Sequence, residues 1–129
     1  MRRRVFAALF GVALVVAMGG SALAIDHQRS GFGPIHGHWT GQRLTGISGN
    51  VRSPSSLCIA RRTVTIQKSP TRTGTFIPFG HGTTDRHGIF GINGRAPGTD
   101  VFQITVASID HPTIDCGGKT IYVRFQSPV

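Results

Sequence analysis

The chain has 129 residues and a formal net charge of +9, from 14 Lys and Arg against five acidic residues, none of which is Glu. This length fits one domain around a single hydrophobic core and excludes several large domains. The positive charge predicts attraction to acidic surfaces. The arginines are scattered and form no basic helix, so a specific nucleic-acid partner is not expected.

The first 24 residues have the pattern of a secretory signal peptide. Arg2–Arg4 supply a positive n-region, residues 5–18 are all apolar or Gly, and Ala22 and Ala24 form a small-x-small cleavage site. We expect cleavage after Ala24 and a secreted, periplasmic or cell-envelope location, with 105 residues and a formal charge of +6 remaining. The alternative is an uncleaved membrane anchor, although a span needs about 20 apolar residues. Membrane association is expected only in that case.

Residues 25–43 are rich in Gly, His and charge and follow neither a helical nor a strand period. This composition predicts a flexible N-terminal arm. Trp39 lies within the arm and is expected to pack against the domain that follows. An exposed aromatic platform for a glycan is the alternative role for Trp39.

From residue 44 the pattern changes to short β-type runs separated by turn residues. Alternation of apolar and polar residues predicts strands at 46–52, 58–68, 75–80, 89–92, 101–107 and 119–125. Pro78 marks the third run as an edge strand or a bulge. Strands of this number and spacing, with no convincing helix, predict an all-β domain over residues 44–129. Its expected architecture is a seven-stranded Greek-key β-sandwich.

Cys58 and Cys116 are the two cysteines of the chain. In an exported protein, an even count with a single possible pairing predicts a structural disulfide. The rival interpretation, a pair of reactive thiols, normally involves cysteines close together in sequence. A bridge here closes a loop of roughly 58 residues and is worth about 4 kcal/mol in the chain-entropy model.

A series of spaced residues also points to a known family. The series is Gly49-x-Val51, then Cys58-x-x-x-Arg62-x-Val64-x-Ile66, then Thr84-Asp85-x-x-Gly88-x-Phe90, and finally Cys116. Over residues 45–125 it resembles the carboxypeptidase regulatory-like domain, a transthyretin-like (prealbumin-like) sandwich of exported bacterial proteins. The resemblance implies an immunoglobulin-like β-sandwich. It also implies a non-enzymatic module with a binding, adhesion or structural role.

The most specific part of the resemblance is the turn that contains Thr84, Asp85, Gly88 and Phe90. An Asp side chain can accept hydrogen bonds from the backbone of the turn it opens, and Gly can adopt a positive φ. Phe90 can then enter the core. We therefore expect these four residues to have a structural role.

One enzymatic branch of transthyretin-like proteins hydrolyses a purine-breakdown product with His and Arg residues and a Tyr-Arg-Gly-Ser tail. The last eight residues here read Tyr-Val-Arg-Phe-Gln-Ser-Pro-Val and do not match that tail. A transthyretin-related small hydrolase is kept as an alternative function. No catalytic residue is predicted, because the sequence has no nucleophile elbow and no paired carboxylates.

The histidines raise a further alternative, a metal-binding secreted protein. His36, His38, His81 and His87 are the candidate ligands for Zn²⁺ or Cu²⁺, and solvated loop histidines are the competing interpretation. No cofactor is expected. The partner stays open among an anionic cell-wall polymer, a glycan and another envelope protein.

Overall fold

A computed structural model describes residues 25–126, and the predicted signal segment with Ala22 and Ala24 lies outside them. The described part is all-β, with eleven strands and one short 3-10 helix at Ser56–Cys58. The strands are β1 (Asp26–Gln28), β2 (Gly31–Phe32), β3 (His36–Thr40), β4 (Arg43–Arg52), β5 (Thr63–Ser69), β6 (Ile77–Thr83), β7 (Ile89–Pro97), β8 (Val101–Val106), β9 (Ile109–Asp110), β10 (Ile114–Cys116) and β11 (Lys119–Arg124). Within residues 25–126, no helix is long and apolar enough to cross a membrane.

The strands form two four-stranded sheets and one small sheet. In the first sheet β4 is central, with β7 on one side and β2 and β3 on the other. The second sheet has the order β11-β8-β5-β6 with antiparallel neighbours. The small sheet has the order β1-β10-β9, and β1 runs parallel to β10.

The hydrophobic core lies between the two larger sheets in a sandwich-like arrangement. Strand alternation places apolar residues on the inner faces, as in β5, where Val64 and Ile66 are buried and Thr63 and Thr65 are exposed. Full burial of a side chain such as Ile104 stabilises the fold by about 1.5–3 kcal/mol. The buried core consists of Leu44, Ile47, Val51, Val64, Ile66, Phe79, Phe90, Ile92, Ala96, Phe102, Ile104 and Val106.

The described residues hold eleven strands where the sequence predicted seven. Three of the additional strands, β1 to β3, lie in residues 25–43, for which an irregular arm was expected. In β3 exposed and half-buried residues do alternate. The inward positions are Gly37 and Trp39, and a Cβ on Gly37 would lie 2.7 Å from Cδ1 of Leu44. Because Gly37 has no side chain, Trp39 is the only apolar side chain that marks the inward face of β3. One residue is too few for an alternating pattern to be recognised in the sequence.

Two other boundaries differ from the sequence prediction. The second predicted strand begins at Thr63 instead of Cys58, because Cys58 ends the 3-10 helix and residues 59–61 form a turn. At the start of that helix, the Ser55 side chain accepts a hydrogen bond from the Leu57 N–H at 3.2 Å. Strand β7 continues to Pro97, through residues that the sequence assigned to a loop. Trp39 packs against the hydrophobic core, as predicted.

Candidate functional site

The disulfide between Cys58 and Cys116 is present, which confirms the predicted pairing. Both half-cystines are buried, and their Cα atoms lie 5.4 Å apart. The bond joins the 3-10 helix to the end of β10. A disulfide of this kind indicates an oxidising, extracytoplasmic environment.

A buried arginine lies beside the disulfide. Arg62 is 1 % exposed, and its Nη1 donates to the Cys58 carbonyl at 2.6 Å and to Ser30 Oγ at 2.8 Å. Its Nη2 donates to the carbonyls of Ala107 at 2.7 Å and Gly117 at 2.9 Å. Burial lowers the pKa of Arg62. The nearby Cys58 and three acceptors that are distant in sequence therefore meet on one guanidinium, which we call the Arg62 node.

The turn before β7 is organised by Asp85. Its Oδ1 accepts the N–H groups of His87 at 2.8 Å and Ile89 at 3.0 Å. The hydrogen bond from Ile89, followed by that from His87, lowers the pKa of Asp85. Gly88 has a φ of 82°, and a Cβ there would lie 2.6 Å from the Val51 carbonyl oxygen. Only glycine fits this position, because both the backbone conformation and the space exclude a side chain.

The other two residues of the predicted turn face inward. Thr84 is 3 % exposed, and its Oγ1 accepts the Arg62 N–H at 2.8 Å while donating to the Ile59 carbonyl at 2.6 Å. Phe90 is buried in the hydrophobic core. The four turn residues thus make contacts that hold the turn and connect it to the Arg62 node.

The outer face of the first sheet forms a shallow groove, which we call the histidine–serine groove. Its position follows from the strand register, since His36 is opposite Ser48 and Ser48 is opposite Gly91. In the next row Gly46 lies between β3 and β7, so two glycines leave the groove floor without side chains. The groove is lined by Pro34, His36, His38, Thr45, Gly46, Ile47, Ser48, Gly49, Asn50, His87, Ile89, Gly91, Ile92 and Asn93.

Ser48 lies at the centre of the groove, where two concavities of 380 and 270 Å³ adjoin. Its Oγ is 2.8 Å from Nε2 of His38. The described lining residues include amide, hydroxyl and imidazole groups and no carboxylate. Such a surface can both donate and accept hydrogen bonds. The contact between Ser48 and His38 also meets the distance requirement for a hydroxyl and its base.

The structure separates the four predicted metal ligands. His36 and His87 line the larger concavity, and His38 lines the smaller one. His81 lies on β6 of the second sheet, opposite Thr65. Among residues 25–126, no three His, Cys, Asp or Glu side chains are grouped closely enough to hold a metal ion.

A third concavity, of 550 Å³, shares His87 with the groove, and we call it the basic turn pocket. It is lined by Ala60, Arg61, Thr84, Asp85, Arg86 and His87. Arg61 has a φ of 54° and is the one non-glycine residue with positive φ in the described part of the chain. Arg86 Nε donates to Nε2 of His87 at 3.2 Å.

Ser48, Asn50 and Asn93 line the groove but were not predicted from the sequence as site residues. A signal was available, because Ser48 and Asn50 alternate with the buried Ile47 and Val51 in a strand that was predicted. Polar residues on an outward strand face are common, however, and only the register shows that those of β3, β4 and β7 lie side by side.

Comparison with known proteins gives no match: no family model, no curated protein and no solved structure is similar to the chain. The resemblance to the carboxypeptidase regulatory-like domain therefore rests on the spaced residues alone.

Proposed function

We propose that the chain is an exported, non-enzymatic module of the carboxypeptidase regulatory-like type, with a Greek-key sandwich at its centre, that binds an envelope glycan in the histidine–serine groove. The observation that carries this proposal is the composition of the groove, where amide, hydroxyl and imidazole side chains, and no carboxylate, surround Ser48 among the described residues. The disulfide supports export, because such bonds persist in oxidising compartments.

The chemistry of the groove suits a sugar polymer. Sugar hydroxyls both donate and accept hydrogen bonds, as do the side chains of Asn50, Asn93 and Ser48. The Ile89 side chain is 53 % exposed and offers an apolar contact for the C–H face of a sugar ring. These residues are fixed on paired strands, so little side-chain and backbone entropy is lost when a ligand binds.

The proposal is tested by binding of the exported, oxidised protein to insoluble peptidoglycan and by its mobility in gels that contain a soluble neutral glucan. We expect the double substitution Asn50→Ala and Asn93→Ala to weaken binding at least tenfold, the loss of about 1.4 kcal/mol. Thr65→Ala, on the outer face of the second sheet, is the matched control and should bind like the wild type. Equal binding by the double variant, or binding by neither protein, contradicts the proposal.

The contact between Ser48 Oγ and His38 Nε2 favours a hydrolase as the second candidate function. In that case the protein should release soluble acyl products from acylated forms of the same polymers, and Ser48→Ala should abolish the release. Within the described residues, no carboxylate is hydrogen-bonded to His38, whereas a catalytic histidine is normally oriented by such a group. For this reason binding is preferred over hydrolysis.

A further inference from the structure

Arg61 adopts a backbone conformation that its residue type disfavours. Its φ of 54° lies in the left-handed region, where Gly, Asn or Asp are usual. The conformation is held by the Arg61 N–H, which donates to the Thr84 carbonyl at 3.1 Å, and by the Arg62 N–H, which donates to Thr84 Oγ1. Folding needs the turn but does not need an arginine in it. Strained residues of this kind concentrate at functional sites.

The strained arginine lines a pocket in which two guanidinium groups outnumber a single carboxylate. Arg61 and Arg86 both line the basic turn pocket, and the one ion pair in residues 25–126 joins His27 to Asp115 elsewhere. Asp85 is the single carboxylate of the lining, and its Oδ1 already accepts two backbone N–H groups. The carboxylate also interacts electrostatically with Arg86 and His87. Two guanidinium groups against one carboxylate still leave the pocket with net positive charge.

His87 connects the pocket to the groove. Its ring accepts a hydrogen bond from Arg86 Nε, which fixes one edge of that guanidinium, and His87 also lines the larger concavity of the histidine–serine groove. An arginine held at Nε can still present its terminal amino groups as donors. Guanidinium groups match the planar, bidentate geometry of phosphate and sulfate oxygens.

We propose that Arg61, Arg86 and His87 form a binding site for an oxyanion of the phosphate or sulfate type, either free or carried as an ester on a polymer. Arg61 and Arg86 supply charge-assisted hydrogen bonds, and His87 supplies an imidazole at the rim. The site does not depend on the ligand of the groove. A polymer that carries phosphate esters would contact the site and the groove together through His87.

The test compares Arg61→Gly with the wild type in titrations with inorganic phosphate, followed by NMR chemical shifts, and in thermal melts. We expect saturable phosphate binding by the wild type and at least tenfold weaker binding by the glycine variant, as for the loss of a charge-assisted hydrogen bond. The same variant should melt at a higher temperature, because glycine removes the unfavourable conformation. Arg95→Gln is the control, because it removes an equal charge from an exposed position of β7 outside the pocket. This variant should retain phosphate affinity.

Two further titrations complete the test. One distinguishes free phosphate from a phosphate ester on a polymer, and the other distinguishes this site from the histidine–serine groove. Tighter binding of a poly(glycerol phosphate) than of free phosphate would identify a polymer-borne ester, and equal binding would identify the free anion; both results require Arg61. The variant with Asn50→Ala and Asn93→Ala should keep its phosphate affinity, so failure of the groove proposal leaves this one standing. Wild-type affinity in Arg61→Gly, or no saturable binding by the wild type, overturns the inference.

Discussion

Arg61 and Arg62 are adjacent in the chain, yet the fold places them in opposite environments. Arg62 is 1 % exposed and donates to four oxygen atoms from four segments. Arg61 is exposed, has a positive φ and lines the basic turn pocket. The left-handed conformation at Arg61 belongs to the turn that leads into the inward-facing Arg62.

The difference shows how a buried charge and a surface charge arise from neighbouring identical residues. A buried guanidinium is tolerated when hydrogen bonds replace the lost water, and three of the four acceptors of Arg62 are backbone carbonyls. Carbonyls at the ends of strands and helices need such donors, so the arginine also satisfies the backbone. Among residues 25–126, the exposed Arg61 side chain donates no such hydrogen bond to a backbone carbonyl, and under our proposal it binds an oxyanion instead.

Of the substitutions that test this difference, removal of the disulfide should change the free energy of unfolding the most. The double substitution Cys58→Ala and Cys116→Ala should lower the free energy of unfolding by about 4 kcal/mol, because the unfolded chain regains the entropy of a long loop. Urea denaturation of the oxidised wild type and the variant measures the difference. The change should weaken the Arg62 node, since two of its acceptors, Cys58 and Gly117, belong to or adjoin the bonded cysteines.

The disulfide variant also tests whether the two regions are separable. Under conditions in which it stays folded, its phosphate affinity should equal that of the wild type, because the basic turn pocket is held by Thr84 and Asp85. A parallel loss of phosphate affinity would show that the node and the pocket form one unit.

Arg62→Met should have the second largest effect. Methionine fills part of the space but donates no hydrogen bond, so buried acceptors lose their partner and the free energy of unfolding should fall by roughly 3 kcal/mol. Arg61→Met is the matched control, with the same charge change one residue away, and should alter stability by less than about 0.5 kcal/mol. Equal destabilisation by both substitutions in urea melts would contradict the assignment of the node.

Asp85→Asn should have the smallest effect and a specific pH dependence. Backbone hydrogen bonds from Ile89 and His87 lower the pKa of Asp85 in the folded protein. The ionised carboxylate therefore contributes stability above its unfolded pKa, and that contribution is lost as the pH falls through the lower folded pKa. The difference between wild type and variant in thermal melts should be present at neutral pH and shrink in acid. Asp110→Asn, an exposed carboxylate of β9, is the control.

The burial of Arg62 was not among the predictions made from the sequence. Arg62, Val64 and Ile66 do share one phase of a two-residue period, and all three are buried. The pattern fits burial of Arg62 but does not identify its acceptors, since Ser30, Ala107 and Gly117 lie far away along the chain. The contacts of Asp85, by contrast, involve residues within four positions and follow from local turn chemistry.

The sequence predicted a flexible arm where β1 to β3 lie. These strands are formed by pairing with β10 and β4, and the composition of residues 25–43 does not show that pairing. β1 is a three-residue strand paired with β10, more than eighty residues later. Short strands of this kind have too few residues for a period to be read. The histidines show the same limit, since neither their number nor their spacing distinguished His81 on the second sheet from His36, His38 and His87 around the groove.

By itself, the sequence determined the all-β class, the pairing of Cys58 with Cys116 and the inward faces of β5 and β8, because these depend on composition, count and a two-residue period. The tertiary structure decided which polar residues lie together: Ser48 with His38, and Arg61 with Arg86 and His87. Those juxtapositions depend on strand register and on how distant segments pack, and both follow from the balance of burial and backbone pairing over the whole domain.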